Sequence, residues 1–333
     1  MPPDSKFTMK EKERRMKSVV SLMRGEDLEK SLREALEHQG GMEAIAPQGS
    51  TVMIKPNFTA AFPPETGAAS DPRIAEVLAR SALEAGAAKV IIAEGIGSGL
   101  VSLTDVNGLQ EISKMNGIEI IDLNDEKTEA VYVSDPLAVE RFDISRVVLE
   151  CDVFINLAKL KVHPQALFSL AMKNVMGVLP GRSRKDPEEA KRQGYLTPII
   201  PGGGKKIFHD LARDRGLGAM QDAIVDLSTL VPSHLTVVDG LYGMEGKGAP
   251  VRGKPVKMDL LIVGVDLVAV EAVGAAVMGF DLERIPYLKH AVQKGLGNEI
   301  RIENLDIRGA KLSDVCRTFE PASATFLWHE ESE

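Results

Sequence analysis

The chain has 333 residues, 44% of them hydrophobic and 26% charged, so it can bury a full core in one large or two modest domains. Lysine and arginine total 40 against 48 acidic residues, and the net charge of -8 disfavours a nucleic-acid partner, because such proteins usually present a basic excess. The two cysteines, Cys151 and Cys316, exclude a disulfide framework and are too few for a four-thiolate iron–sulfur cluster within the chain.

Hydropathy predicts a cytoplasmic protein with no membrane partner. No apolar run approaches the ~20 residues that cross a bilayer, and the charged start lacks the apolar centre of a signal peptide. Residues 1–16 and 320–333 are expected to be terminal tails around a central unit at 17–319. Trp328, in the second tail, is a candidate contact with another subunit, so a homodimer is left open.

Strands and helices alternate along the central unit. The predicted strands are 17–23, 51–54, 89–93, 118–123, 130–133, 153–157, 234–238, 260–265 and 305–308. The predicted helices are 26–38, 72–85, 104–115, 187–192, 218–230, 267–278 and 287–294, with Asp71 and Asp266 as N-caps. This alternation is typical of α/β architecture. We expect a mostly parallel sheet with helices on both faces, either as one unit or as two lobes, 17–135 and 136–319, around a cleft.

Basic residues occur at every second position after the apolar run 153–157. Lys159, Lys161 and His163 alternate there, and Pro164 favours an extended path up to His163, so the three side chains are expected to share one face. Basic groups on one face repel one another unless an anion or an acidic partner lies among them. We expect them just past the carboxyl end of a strand, where open α/β sheets place ligands.

Proline is also favoured at the first position of a helix, so Pro164 is predicted to begin a helix that carries Lys173 and Asn174. The alternative for this helix is a solvated stripe with no specific role, because polar or small residues recur at every fourth position. The residues at that spacing are Gln165, Ser169, Lys173 and Gly177.

Other predicted strand ends supply further candidates. Lys55 directly follows a buried strand and precedes Asn57; its ammonium group needs an anion, unless it reaches water at the rim of the sheet. Asp239 follows the strand 234–238, and Glu245 lies in the glycine-rich segment beyond it. These carboxylates could accept a proton, bind a divalent metal or pair with the lysines; a turn-forming aspartate is the alternative for Asp239.

Residues 180–210 form a long excursion rich in glycine, proline and charge. Such excursions are typical of lids, binding loops or disordered segments, and the alternative is a solvated loop without a specific role. Lys205 would add positive charge around a cleft, and His209 follows on a predicted helix. The other basic residues of the excursion are Arg182, Arg184, Lys185 and Lys206.

Glycines after the strand 89–93 could cradle a phosphate group through backbone N–H groups. Gly95, Gly97 and Gly99 lack the third glycine at the spacing of a dinucleotide-binding turn, and no suitably placed acidic residue follows. We therefore expect a tight turn that places Glu94 beside the site.

The motifs LAKLKVH at 157–163 and LAMKNVMG at 170–177 resemble the signature of a large prokaryotic family, domain of unknown function 362, in which Lys-x-Lys-x-His precedes Lys-Asn-x-x-Gly. IKPNF at 54–58, VVDGLYGMEGKGAP at 237–250 and VDLVAVEAVGAAVMG at 265–279 also match, in the family's order. The resemblance implies an α/β domain but no particular activity. Some relatives carry appended ferredoxin-like iron–sulfur modules, from which this chain departs because it has two cysteines.

Taken together, the residues favour an enzyme, of unassigned reaction class, that acts on a small anionic molecule such as a carboxylate or phosphate. The substrate-binding candidates are Lys55, Asn57, Lys159, Lys161, Lys173, Asn174 and Lys205. The catalytic candidates are His163, His209 and Asp239, since imidazole titrates near working pH and a carboxylate can act as a base. Glu245 is the candidate ligand of a divalent metal ion, the cofactor that the pattern leaves open.

Three other functions are compatible with the sequence. The chain could be a redox accessory protein related to the iron–sulfur members of the family, or a ligand-binding protein without catalysis. The third function is that of a nickel-pincer racemase-like enzyme. It is suggested by residues 202–205, Gly-Gly-Gly-Lys, which slightly resemble the Gly-Gly-x-Lys region of nickel-pincer lactate racemases. Purified protein without colour would argue against the first, and nickel analysis would decide the third.

Overall fold

The computed structural model describes residues 17–59, 61–95, 103, 106, 108–181, 184–185, 187–192, 199–200 and 203–322. The tail 1–16, the glycines at 97 and 99, Arg182 and Trp328 lie outside the described residues, as do the side chains of Arg184 and Lys185. The predicted α/β architecture is confirmed: a mixed, mostly parallel sheet of nine strands is covered by helices.

Thirteen strands occur in the described residues. They are β1 (Val19–Arg24), β2 (Thr51–Lys55), β3 (Lys89–Glu94), β4 (Ile118–Asp122), β5 (Thr128–Tyr132), β6 (Arg141–Ser145), β7 (Val153–His163), β8 (Leu167–Ser169), β9 (Arg184–Lys185), β10 (Ile199–Ile200), β11 (Leu235–Glu245), β12 (Lys254–Gly264) and β13 (Asp306–Gly309). The large sheet has the order β13-β1-β12-β11-β7-β2-β3-β4, with β8 paired to β7. Strands from both predicted lobes therefore belong to one sheet.

The segment from β11 through β7, β2 and β3 to β4 is parallel throughout. Because parallel strands align their carboxyl ends at one edge, the ends of β2 and β3 lie side by side, while β7 runs on past them: Lys55, the last residue of β2, pairs with Asn156 in β7. β7 lies between β11 and β2, and all eleven of its residues are buried. The carboxyl edge around β7 is therefore the place where residues distant in sequence meet.

The helices pack on both faces of the sheet. Their bounds are Leu28–His38, Met42–Ile45, Pro72–Glu84, Leu109–Ile112, Arg146–Glu150, Ala171–Asn174, Pro187–Arg192, Lys206–Arg215, Leu217–Leu230, Leu267–Val277 and Pro286–Gln293. Two apolar cores result, one on each face, because alternate residues of a strand point to opposite sides. In β7, Phe154 and Ala158 enter one core while Ile155 and Leu157 enter the other.

The predicted N-caps are confirmed. The Asp71 carboxylate accepts from Arg73 N at 2.9 Å, and the Asp266 carboxylate accepts from Ala269 N at 2.9 Å, so each satisfies a backbone donor in the first turn of its helix. Every described helix is too short or too polar to cross a bilayer.

The prediction that Pro164 begins a helix is wrong. β7 extends to His163, the chain turns at 164–166, and β8 returns antiparallel to β7, with His163 opposite Leu167. Proline fixes φ near the same value in a tight turn as at a helix start, so its local preference did not distinguish the two. Lys173 and Asn174 lie instead on the four-residue helix that begins at Ala171.

The predicted helix 104–115 is also shorter than expected. Within the described residues it spans Leu109–Ile112, and residues 104, 105 and 107 lie outside them. Gly108 precedes it with φ of 89°, which is left-handed backbone that a right-handed helix cannot run through.

Asp226 anchors a loop to the helix Leu217–Leu230. Its buried carboxylate accepts from the backbone N–H groups of Leu137, Ala138 and Val139 at 2.8, 2.7 and 2.9 Å. Each of these donors would lose its acceptor if the carboxylate were removed.

Replacing Asp226 with alanine should therefore lower the free energy of unfolding by roughly 3 kcal/mol, since each unsatisfied buried N–H costs on the order of 1 kcal/mol or more. Urea unfolding of the two proteins measures the difference. Asp214→Ala is the control, because the side chain of Asp214 is exposed and pairs with Arg213, and it should change the free energy by less than about 0.5 kcal/mol. Equal effects of the two substitutions would contradict the anchoring role.

Candidate functional site

A buried amide, Asn174, joins the carboxyl end of β2 to the middle of β7. Its Oδ1 accepts from Lys55 Nζ at 3.0 Å and from Asn57 Nδ2 at 2.9 Å. Its Nδ2 donates to Asn156 Oδ1 at 2.8 Å and to the Leu157 carbonyl at 3.2 Å. An amide supplies both donors and acceptors, so this side chain satisfies groups of both kinds in a space that excludes water.

Lys55 forms a buried ion pair with Glu94. Its Nζ lies 2.7 Å from Glu94 Oε2 and also donates to the Pro56 carbonyl at 2.8 Å. The two residues end adjacent parallel strands, β2 and β3, which brings them together. Gly177 lies directly against the pair: a Cβ atom there would come within 2.4 Å of Lys55 Nζ and 2.2 Å of Glu94 Oε1, so a side chain cannot be accommodated.

Lys159 forms a second buried ion pair, with Asp239. These residues face each other across β7 and β11, and Nζ lies 2.7 Å from Oδ2 with neither side chain exposed. The Asp239 carboxylate also accepts from the N–H groups of Asp71 at 2.7 Å and Leu241 at 2.9 Å. The pair is thus enclosed and holds the start of the helix Pro72–Glu84.

Lys161 is buried among neutral acceptors. Its Nζ donates to Asn57 Oδ1 at 2.9 Å, Thr59 Oγ1 at 3.3 Å and the Ala68 carbonyl at 2.6 Å. Burial lowers the pKa of Lys161 well below its ordinary value, and repulsion from Lys173 and Lys159 lowers it further. Within the described residues this ammonium has no carboxylate in hydrogen-bonding contact.

Four basic residues, Lys173, Lys205, His163 and His209, form what we call the basic cluster. The charge of Lys173 lowers the pKa of both histidines, and the charge of Lys205 lowers the pKa of Lys173. Lys205 Nζ donates to the Gly95 carbonyl. Among the described residues, no acceptor lies within hydrogen-bonding distance of Lys173 Nζ. The cluster therefore keeps an ammonium donor that no described part of the chain uses.

Burial is the largest cause of the shifted pKa values in the basic cluster, and repulsion from nearby lysines adds to it. Together they lower the pKa of Lys173 to about 8, that of Lys205 to about 8 and that of His209 to about 4. The pKa of His163 is also well below its ordinary value. At neutral pH the two imidazoles are thus uncharged and the two lysines remain mostly charged.

Gln165 contacts both histidines from the turn between β7 and β8. Its backbone N–H donates to His163 Nδ1 at 3.1 Å, and its side-chain Oε1 lies 2.8 Å from His209 Nδ1. Its place among polar or small residues at every fourth position was the one signal for Gln165 in the sequence.

Glu271 holds the short helix that carries Lys173 and Asn174. Its Oε2 accepts from Met172 N at 3.0 Å and its Oε1 from the Tyr287 hydroxyl at 2.7 Å. Burial raises the pKa of Glu271 to about 7, although these hydrogen bonds oppose the shift. A buried carboxylate needs hydrogen-bond partners, and Glu271 has these two.

Glu245 does not contact the basic cluster. Its Oε1 accepts from Arg317 Nη2 at 2.9 Å and its Oε2 from Glu320 N at 3.1 Å, so the carboxylate fastens the segment after β13. Over the described part of the chain, no three His, Cys, Asp or Glu side chains are grouped so that they could hold a metal ion.

The structure therefore divides the sequence candidates into two groups. Lys55, Asn57, Lys159, Lys161, Asn174 and Asp239 belong to a buried network with partners for their polar groups. His163, Lys173, Lys205 and His209 form the basic cluster. The sequence reasoning missed Asn156 and Gln165; a polar side chain inside the apolar run 153–157 was the available signal for Asn156.

Fold and site together define an α/β protein with a buried lysine–amide network and a basic cluster at the carboxyl edge of its sheet. The chain belongs to the family described as domain of unknown function (DUF362), whose model matches residues 52–276. This confirms the family resemblance of the sequence motifs. A thylakoid-associated protein of Synechocystis sp. is 25% identical over 288 residues, which cover 85% of this chain and 80% of that protein.

Two solved structures are more distantly similar. The lactate racemase apoprotein from Thermoanaerobacterium thermosaccharolyticum is 12% identical with a TM-score of 0.39, over 78% of this chain and 57% of that one. A protein from Thermotoga maritima is 13% identical with a TM-score of 0.40, over 81% of this chain and 60% of that one. This chain spans less than two thirds of either protein, and we transfer no function from them.

Removing one member of the Lys55–Glu94 pair should lower the free energy of unfolding more than removing both members. Lys55→Met leaves the Glu94 carboxylate buried without its cation and should lower the free energy of unfolding by roughly 3–5 kcal/mol. The double variant Lys55→Met/Glu94→Leu removes both charges and should recover part of that loss. Urea unfolding of the single and double variants measures both effects, and a double variant at least as unstable as Lys55→Met would contradict this account.

The raised pKa of Glu271 predicts a pH dependence of stability. Between its ordinary pKa of 4.5 and about 7, the folded chain keeps a proton that the unfolded chain releases. The free energy of unfolding should therefore fall by about 3 kcal/mol as pH rises through this window and then level off. In Glu271→Gln this contribution should vanish. The free energy of unfolding is measured for both proteins at several pH values across this window, and the difference between them removes the contribution of the other titrating groups. A difference that does not change with pH would show that Glu271 titrates normally.

Proposed function

We propose that the protein is an enzyme that acts on a small molecule carrying a carboxylate or phosphate group, and that the basic cluster binds this group. The observation that carries the proposal is the unused Nζ of Lys173, which lies in a positive field and has no acceptor among the described residues. An anion would accept from it and relieve the repulsion that lowers the pKa values of the cluster.

The balance of charge supports an anionic ligand. Lys159 is neutralised by Asp239 and Lys55 by Glu94, whereas Lys161, Lys173 and Lys205 have no carboxylate in hydrogen-bonding contact in the described residues. Glu94 acts on Lys173 and Lys205 electrostatically, but its Oε2 already accepts from Lys55. An excess of positive charge therefore remains at the carboxyl edge, although the chain as a whole is acidic.

The same groups could perform acid–base chemistry. Lys173, with a pKa of about 8, can hold or release a proton near neutral pH, and uncharged His209 can accept one. When an anion binds, its charge should move the pKa of His209 upward from about 4 toward the working range. Binding would thus prepare the imidazole for proton transfer. In this proposal Lys55, Lys159 and Asp239 build the site and do not touch the substrate.

Removing the unused ammonium should abolish most of the binding. Lys173→Met is expected to weaken the binding of inorganic phosphate or oxalate at least about tenfold, measured by isothermal titration calorimetry, because a charge-assisted hydrogen bond is lost. Lys289→Met is the matched control, since Lys289 is a half-exposed lysine that pairs with Glu283. Unchanged affinity in Lys173→Met would remove this residue from the site.

Affinity should also depend on pH. As pH rises from about 7 to about 9, Lys173 and Lys205 lose their charge and anion binding should weaken. At pH 8 binding should take up protons, which calorimetry in two buffers of different ionisation enthalpy detects. Tight binding without conversion of any of a panel of carboxylates and phosphates would favour a ligand-binding protein over an enzyme.

A further inference from the structure

Gln165 touches His163 and His209 with two groups of opposite hydrogen-bonding character. The contact to His163 comes from the backbone N–H, and the contact to His209 involves the side-chain carbonyl oxygen. A backbone N–H can only donate, and a carbonyl oxygen can only accept. Gln165 therefore requires an acceptor at Nδ1 of His163 and a donor at Nδ1 of His209.

The first contact determines the tautomer of His163. Its Nδ1 accepts from Gln165 N at 3.1 Å, so Nδ1 carries a lone pair and the proton of the neutral ring is on Nε2. The ring has 5% of its surface exposed and lies near Lys173 and Lys161, and both conditions disfavour the imidazolium. The Nε2–H of His163 is therefore a donor.

The second contact determines the tautomer of His209. Gln165 Oε1 lies 2.8 Å from His209 Nδ1 and must receive a proton from it, so Nδ1 is protonated and Nε2 of the neutral ring carries a lone pair. Lys173 and Lys205 act against a second proton on this ring. The Nε2 of His209 is therefore an acceptor.

Both Nε2 atoms are unused in the described part of the chain, where no hydrogen bond to either is formed. Both rings also feel the charge of Lys173, so they lie in one electrostatic environment. The basic cluster thus offers an ammonium, one imidazole donor and one imidazole acceptor.

We propose that Gln165 fixes His163 and His209 in opposite tautomers, and that the pair selects anions that still carry an O–H group. This rests on the proposed anion-binding function and names the ligand class: an oxyanion with a hydroxyl, such as a protonated phosphate or a hydroxy acid. An oxygen of the ligand accepts from His163 Nε2, its O–H donates to His209 Nε2, and Lys173 binds its charge. Gln165 is a positioning residue that acts through the two rings.

Comparing the affinities for phosphate and sulfate distinguishes selection for an O–H group from simple attraction between charges. Near neutral pH phosphate still has an O–H, whereas sulfate has none and would set an oxygen lone pair against that of His209 Nε2. The wild-type protein should therefore bind phosphate at least about tenfold more tightly than sulfate, measured by calorimetry near pH 7.

Gln165→Leu removes the side-chain acceptor but keeps the backbone N–H. His209 can then place its proton on Nε2, so phosphate should bind more weakly and sulfate more tightly, and the preference should fall at least about fivefold. Lys173→Met should weaken both anions by a similar factor and leave the preference unchanged. A Gln165→Leu protein in which both affinities fall equally would overturn the selection, because a merely structural role would have that effect.

The tautomers themselves can be measured without a ligand. Histidine ¹⁵N labelling and long-range ¹H–¹⁵N NMR distinguish protonated from bare ring nitrogens, and His163→Gln and His209→Gln assign the two signals among the six histidines. We expect Nε2–H for His163 and Nδ1–H for His209 in the wild type. In Gln165→Leu only His209 should change.

Two results would decide against the proposal. The same tautomer on both rings in the wild type would refute the role of Gln165, whether or not anions bind. Wild-type protein that binds neither phosphate nor sulfate would refute the anion-binding function and the selection with it, while the NMR result would still report the tautomers.

Discussion

The burial of lysine ammonium groups inside a parallel sheet is the constraint on which the rest of this structure depends. Lys55, Lys159 and Lys161 are at most 1% exposed, and a buried charge without partners is prohibitively costly. Each is satisfied differently: by the carboxylate that ends the next strand, by a carboxylate on β11, and by three neutral oxygens. Leaving one of these charges buried without its partner would cost more free energy than the intact contact contributes to stability. Alignments of β2, β3, β7 and β11 that separate the partners are therefore disfavoured.

The partners of the inner lysines distinguish them from the lysines of the basic cluster. Lys55 and Lys161 each donate to three protein acceptors, so their ammonium groups have no spare N–H for a ligand, whereas Lys159 is neutralised by its contact with Asp239. Lys173 lies next to this network on a short helix held by Glu271, and within the described residues its Nζ has no acceptor. The positive charge of the surrounding residues therefore acts on Lys173, and no described carboxylate contacts its Nζ to offset that charge. A buried, partnered network thus lies beside a charged group that has no acceptor among the described residues.

Local sequence patterns predicted many elements because each depends on residues close together in the chain. The caps at Asp71 and Asp266 and the alternation of Lys159, Lys161 and His163 along one strand are of this kind. Pro164 was misassigned because a proline suits a turn as well as a helix start, and the deciding contact is the pairing of β8 with β7. The tautomers of His163 and His209 follow from Gln165 contacts that no spacing rule indicates.

By itself the sequence determined the α/β class, the family and the residue types at the carboxyl edge, since hydrophobic period, turn residues and motifs are local properties. The tertiary structure alone decided which lysines are neutralised and which remain available. Lys55 meets Glu94 across 39 residues and Asn174 across 119, and Lys159 meets Asp239 across 80. Such partners are chosen by the order of strands in the sheet, and that order arises from the packing of the whole chain rather than from any short segment.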